Sequence, residues 1–243
     1  MIVIEGLKKS YGPLCAVGGV SFSAADGKVT GVLGPNGAGK TTTLRMLSTL
    51  IEPDAGAAYV DGINVRERPV EALRRLGILP DSRGLYPRLT AREHLAYFGG
   101  LHGLSRREIQ TRTDELCARL HMREIIDRRI AGFSQGERTK VAIARALVHR
   151  PRNIVLDEAT NGLDVMSARA LREVVRSLAA EGMCVLFSSH IMQEVADLCD
   201  HIVVFAGGLV VAEGSPAELL ERTGQPDLEN AFVQIIGSAA GLE

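Results

Sequence analysis

The sequence predicts an α/β fold with an antiparallel β lobe at its start and a helical lobe inserted in its middle. Three observations lead there. A short apolar run at 29–33, Val-Thr-Gly-Val-Leu, feeds a glycine-rich turn and then a helical repeat of Leu44, Leu47 and Ile51. Residues 86–150 carry three helix-start signals and little β character. After Pro151, short apolar runs alternate again with helical patterns.

Taken in order, residues 2–7 and 17–24 read as strands, the second with partial alternation. Asp26-Gly27 is a turn signal before the strand at 29–33. A helix begins near Lys40, and Pro53-Asp54-Ala55-Gly56 closes that segment. Residues 57–60 form a short strand, followed by the turn Asp61-Gly62. Thr90-x-x-Glu93, Ser105-x-x-Glu108 and Ser134-x-x-Glu137 each have the spacing of a reciprocal helix cap. Buried strands are expected at 154–156 and 183–187, with helices at 167–181 and 191–198. Ala206-Gly207-Gly208 separates two apolar runs as a hairpin would. Residues 1–85 and 151–220 thus form the α/β core, 86–150 the helical lobe, and 221–243 a weakly patterned tail. The whole is expected to be one domain.

Composition narrows the classes. Apolar residues make up 46% and charged residues 23% of the 243, enough for a packed core. The net charge of −1 implies no general attraction to nucleic acid. The 4 cysteines are far apart and contain no CxxC pair, which argues against a metal cluster and for a reduced, cytosolic setting. The N-terminal segment lacks the long apolar stretch of a signal peptide. No run approaches the ~18–20 apolar residues that cross a bilayer. Work at a membrane would need spanning helices from another chain.

Gly34-Pro35-Asn36-Gly37-Ala38-Gly39-Lys40-Thr41 fits G-x-x-x-x-G-K-[ST] in full, between a strand and a helix. Glycines let backbone N–H groups converge on phosphate oxygens, and the helix N-terminus adds partial positive charge. Lys40 is placed to reach the β- and γ-phosphates, and the Thr41 hydroxyl to bind Mg²⁺, with Thr42 beside it. The expected ligand is MgATP and the core is of the P-loop NTPase (RecA-like) type.

Ile154-Val155-Leu156-Asp157-Glu158 is an apolar strand ending in two carboxylates. Asp157 is the candidate for holding Mg²⁺, directly or through water. Glu158 is the candidate for polarising an attacking water. Asn153 is polar where such strands are usually apolar.

With these motifs and the lobe between them, residues 2–220 resemble an ATP-binding cassette (ABC) ATPase. Phe133-Ser134-Gln135-Gly136-Glu137 stands at the family's LSGGQ signature, keeping Ser134 and Gly136 and departing at the other positions. Gly162-Leu163-Asp164 matches the D-loop, His190 the switch histidine that senses the γ-phosphate, and Tyr11 the aromatic that stacks on adenine. Asp81 stands where the family usually has Gln, still offering Mg²⁺ a hard oxygen. Ser134 with Glu137 can also be read as a plain helix cap, a reading compatible with contact to a γ-phosphate.

The resemblance implies two cassettes arranged head to tail, ATP lying between one phosphate loop and the other Ser134 segment. The second cassette would be another copy or a related subunit. It further implies docking on a separate transmembrane permease through residues 81–90, at the cytoplasmic face of the membrane. Segments 84–93, 133–137 and 228–232 resemble exporters of the ABC-2 kind, with bacterial sodium-efflux ATP-binding subunits among them. The competing reading is a soluble cassette ATPase of translation or DNA repair. Tandem cassettes, zinc modules and coiled coils that mark such proteins are missing from the sequence.

Overall fold

The computed structural model describes residues 1–239. Strands β1 (Ile2–Tyr11) and β2 (Leu14–Ala24) form a hairpin, and β3 (Val29–Leu33) leads into α1 (Lys40–Leu47). Then come β4 (Ala55–Val60), β5 (Ile63–Asn64), α2 (Pro69–Leu73) and β6 (Leu76–Leu79). The helical lobe holds α3 (Ala91–Leu101), α4 (Arg106–Arg119), a 3-10 turn (Ile130–Gly132) and α5 (Gln135–Leu147). The core resumes with β7 (Asn153–Asp157), α6 (Val165–Ala180), β8 (Cys184–Ser189) and α7 (Met192–Leu198). It ends with β9 (His201–Ala206), β10 (Leu209–Gly214), α8 (Pro216–Thr223) and α9 (Leu228–Ala239).

These strands make two sheets. The smaller is antiparallel, in the order β2-β1-β4-β5; the larger runs β10-β9-β3-β8-β7-β6. In the larger sheet β6, β7, β8, β3 and β9 are parallel, and only the edge strand β10 is antiparallel. Parallel strands must be covered on both faces, and their near-continuous apolar runs show it. Alternate residues serve different cores. Val155, Leu186 and Val203 pack with α1 and the small sheet. Ile154, Leu156, Val185 and Phe187 face the other way, toward α6, α7 and the helical lobe.

All three capping signals of the helical lobe form in full. Thr90, Ser105 and Ser134 each accept from the backbone of the Glu three residues on, whose side chain accepts in return. Several other elements differ from expectation. The helix after Lys40 stops at Leu47 rather than continuing to Ile51. Ser48 turns its hydroxyl back onto the Leu44 carbonyl at 2.7 Å, and Thr49 takes a left-handed φ of 60°. The weakly patterned tail carries a helix over its described part, α9, with Leu228, Ala231 and Phe232 buried. Just before it, Ser215 and Glu218 cap α8 reciprocally. Residues 240–243 of that tail lie outside the described residues. Strand β6 also went unread. Its Gly77 looks like a breaker, but a Cβ there would sit 2.3 Å from the Ala146 carbonyl oxygen, so the strand requires glycine to pack on α5.

Candidate functional site

The loop between β3 and α1 is held by packing from below. A Cβ on Gly34 would meet the Phe205 carbonyl oxygen at 2.5 Å. Gly39, the N-cap of α1, has φ 97° and no side-chain cap. The first N–H groups of α1 therefore have no partner within the helix and are available to an anion. Lys40 is only 5% exposed. Its Nζ donates to the carbonyls of Gly34 at 2.6 Å and Pro35 at 3.2 Å. Burial lowers its pKa, and the nearby charges of Glu158 and Asp157 offset part of that.

The ends of β7 and β8 bring the acidic residues up to this loop. Asp157 is 4% exposed and accepts from Ser188 Oγ at 2.7 Å. The nearby Thr41 hydroxyl also favours its charged form. Burial raises its pKa, and the Asp81 charge adds to that, against the two hydroxyls and Lys40. Glu158 takes a left-handed φ of 50°, a conformation a non-glycine residue adopts only when its surroundings impose it. Its backbone N–H donates to Ser188 O at 3.2 Å. The carboxylate so placed lies 4.0 Å from Lys40 Nζ and 2.8 Å from His190 Nδ1.

A cleft of about 450 Å³ opens over these groups. Asn36, Gly37, Ala38, Gly39, Lys40, Thr41 and Thr42 line its floor, with Asp81, Glu158 and His190 on one side and Tyr11 on the rim. Gly34 and Pro35, the first residues of the loop, do not line the cleft. Asp157 and Asp81 line an adjoining cavity. Tyr11 is 46% exposed at the end of β1, its ring centroid 5.8 Å from Lys9 Nζ. Leu14, Cys15, Ala16 and Asn161 also line the cleft. No residue-type pattern singles them out in the sequence; they arrive through the β1–β2 hairpin and the turn after β7.

Ser134 and Gly136 do not line this cleft. Ser134 is exposed at the start of α5, its Oγ accepting from Glu137 N at 3.2 Å. A Cβ on Gly136 would lie 2.8 Å from Ser167 Oγ. That hydroxyl donates to Asp164 Oδ2 at 2.7 Å, while Asp164 Oδ1 caps α6 by accepting from Ser167 N at 2.9 Å. The signature and D-loop segments are thus in contact with each other and open to solvent.

A divalent cation fits the donors on the floor. Among the described residues no three His, Cys, Asp or Glu side chains gather into a metal site. Mg²⁺ asks for less: hard oxygens, few protein ligands, and phosphate oxygens for the rest. The Thr41 hydroxyl stands close enough to the Asp157 carboxylate to lower its pKa, and Asp81 close enough to raise it. The excess negative charge there is what a cation would neutralise.

Comparison with known proteins gives this arrangement a family. The family model described as ABC transporter matches residues 17–161, which contain the phosphate loop, the helical lobe and both acidic residues. The chain belongs to the ABC transporter ATP-binding family. ABC transporter ATP-binding protein NatA of Bacillus subtilis (strain 168) is 47% identical over 219 residues, 90% of this chain and 89% of NatA. Linearmycin resistance ATP-binding protein LnrL of the same organism is 38% identical, over 98% of this chain and 77% of its own length. A solved ATP-binding subunit of an ABC transporter superposes with a TM-score of 0.88 at 29% identity, covering 97% of this chain and 99% of that one. This ABC ATPase is therefore an ATP-hydrolysing transporter subunit.

Proposed function

We propose that this chain couples MgATP binding and hydrolysis, at the interface of two cassettes, to export through a separate transmembrane permease at the cytoplasmic face of the membrane. The observation that carries the hydrolytic part is the placement of Glu158 between Lys40 and His190, at 4.0 Å and 2.8 Å, beside the phosphate loop. The assembly part draws on the exposed Ser134 helix start, which stands away from its own cleft and is free to meet a nucleotide on a second cassette. Among the described residues no helix is long and apolar enough to cross a membrane, so in this reading the pathway belongs to the permease.

In this reading the phosphates enter over α1, and Lys40 exchanges the Gly34 and Pro35 carbonyls for phosphate oxygens. Tyr11 stacks on the adenine from the rim. Thr41 and Asp157, with Asp81, hold Mg²⁺, which supplies charge neutralisation on the phosphates when bound. Glu158 accepts a proton from the attacking water, and His190 contacts the γ-phosphate and reports its loss. The Ser134 and Gly136 segment of the second cassette closes the site, so ATP joins two helix N-termini and hydrolysis releases them.

Export is favoured because relatives similar over most of this chain carry export or resistance in their names. One of them is Nod factor export ATP-binding protein I of Ralstonia nicotianae, 38% identical over 90% of this chain and 68% of its own length. The finer assignment is sodium ion efflux, on the resemblance of segments 84–93, 133–137 and 228–232 to ABC-2 exporters, sodium-efflux ATP-binding subunits among them. Inverted membrane vesicles holding this chain with its permease test it. ATP-dependent uptake of sodium is the expected result. Vesicles that hydrolyse ATP in response to a different cargo and leave sodium outside would overturn the sodium assignment.

A further inference from the structure

A second carboxylate lies behind the Glu158–His190 pair. Glu194, on α7, is 7% exposed. Its Oε2 accepts from Thr160 Oγ1 at 2.6 Å and from Ser189 Oγ at 3.1 Å. Ser189 Oγ in turn accepts from the Ile191 backbone N–H at 3.0 Å. Thr160 stands two residues after Glu158, and Ser189 immediately before His190. One oxygen therefore ties the turn that follows β7 to the turn that follows β8, and these are the turns that present the two reacting side chains.

Burying a carboxylate for fold stability alone is poor design, since apolar residues of similar volume do as well or better. Glu194 has no ion-pair partner within 4.0 Å among the described residues, and both of its donors are hydroxyls. What it gains is geometry. Charge-assisted bonds from O–H donors are short and directional, and the first turn of α7 adds a favourable dipole. The strained φ of 50° at Glu158 needs such an outside constraint to persist.

We propose that Glu194 is a positioning residue of hydrolysis: through Thr160 and Ser189 it fixes the separation and orientation of Glu158 and His190. The inference rests on the hydrolytic roles proposed above for those two residues. Glu194 does not line the cleft over the phosphate loop. It acts by holding the two turns in register, so its removal misplaces the water-activating carboxylate while the phosphate loop stays intact.

The test is steady-state ATP hydrolysis by the full chain with MgATP, beside nucleotide titration and thermal melting. Glu194→Ala is expected to lower kcat about 10- to 100-fold with KM and ATP affinity changed less than about threefold. Glu194→Gln, which keeps an oxygen acceptor for both hydroxyls, is expected to recover most of that loss. Thr160→Val and Ser189→Ala each delete one of the two bonds with Glu194 in place; each is expected to lower kcat and leave ATP affinity unchanged. They also serve where Glu194→Ala does not fold. A normal kcat in Glu194→Ala, or in both hydroxyl variants, overturns the inference. So does an equal loss in the Ala and Gln variants. Glu158→Gln run in parallel separates the two levels. If it turns over normally, the hydrolytic reading itself has failed; if it is inactive while Glu194→Ala is active, only the positioning role has.

Discussion

Glu158 and His190 meet at 2.8 Å although they stand 32 residues apart, because β7 and β8 are neighbours in register, with Asp157 paired to Ser188. Glu158 follows the last residue of β7 and His190 the last residue of β8. Parallel strands deliver their following loops to the same edge of the sheet, which is where ligands bind in open α/β folds. The same edge carries the loop after β3, and so the phosphate loop, the acidic pair and the histidine are gathered by topology alone.

Lys40→Ala is expected to weaken ATP binding by about 10- to 100-fold, the value of a lost hydrogen bond to a charged group, and to abolish hydrolysis. In the structure its ammonium donates to the Gly34 and Pro35 carbonyls, the first of these bonds buried. Its loss leaves a buried acceptor unpaired, so the melting temperature should fall modestly. Fluorescent-nucleotide titration with thermal melting checks both halves. A variant that hydrolyses ATP at near the normal rate would remove Lys40 from the site.

The parts of this site that were legible in the sequence are those whose chemistry is local. Gly34 to Thr41 encode a turn, a helix start and a cation in eight consecutive residues. Asp157 and Glu158 end an apolar run that can only be a buried strand. The caps at Thr90, Ser105 and Ser134 are local in the same sense. What was missed depends on distant partners. Nothing adjacent to Glu194 announces burial; its partners, Thr160 and Ser189, come from two other loops. Asn153, anomalous in an apolar strand, donates to Asp61 Oδ1 at 3.1 Å and to the Arg75 carbonyl at 3.2 Å, so its polarity serves neighbours about 80 to 90 positions away. Helix α8 is legible by the same signal, since Ser215-Pro216-Ala217-Glu218 has the capping spacing of the three helix starts in the helical lobe.

Ser134→Arg is expected to leave nucleotide binding by the single chain largely intact and to stop ATP-dependent dimerisation. Ser134 is exposed and outside its own cleft, so the new side chain obstructs only what approaches the start of α5. Loss of the cap adds a destabilisation of ~1 kcal/mol, which Ser134→Ala reproduces without the obstruction. Size-exclusion chromatography with MgATP distinguishes them. Dimers that still form with arginine at this position would mean that ATP is not closed over by the Ser134 segment.

His94 makes stability depend on acidity. It is fully buried among Tyr86 and Phe98, ring centroids 5.6 and 4.8 Å away, and neither ring nitrogen has a hydrogen-bond partner. Burial, with the Arg145 charge nearby, pushes its pKa down to about 4. His149, stacked on His102 at 3.7 Å, is pushed to about 4 by burial as well. An unfolded histidine titrates near 6.5, so between about 6.5 and 4 the unfolded chain binds more protons than the folded one. Stability should be full above that window, fall as pH drops through it, and level off below. Each histidine can contribute a loss on the order of 3 kcal/mol. Urea unfolding at pH 7.5, 6 and 5 measures the slope, and His94→Phe should shrink it by roughly half its histidine part. An unchanged slope in that variant would assign the acid sensitivity elsewhere.

Glu158→Gln should separate binding from chemistry. Glutamine keeps the size of Glu158 and an oxygen for His190 Nδ1, but it cannot accept the proton of an attacking water. Asp157 and Thr41 are untouched, so the cation site and the phosphate loop survive. The left-handed backbone at this position is no harder for glutamine than for glutamate, and the fold should not change. Removing one negative charge beside the γ-phosphate also favours the nucleotide-bound, closed arrangement. The variant should bind ATP at least as well as the parent, hydrolyse it about 10²- to 10⁴-fold more slowly, and accumulate as an ATP-bound dimer. Phosphate release and chromatography with MgATP read the two effects separately. A monomer with normal turnover would mean that Glu158 is not the base. Loss of ATP binding would instead give Glu158 the cation-holding role, and the assignments of Asp157 and Glu158 would have to be exchanged.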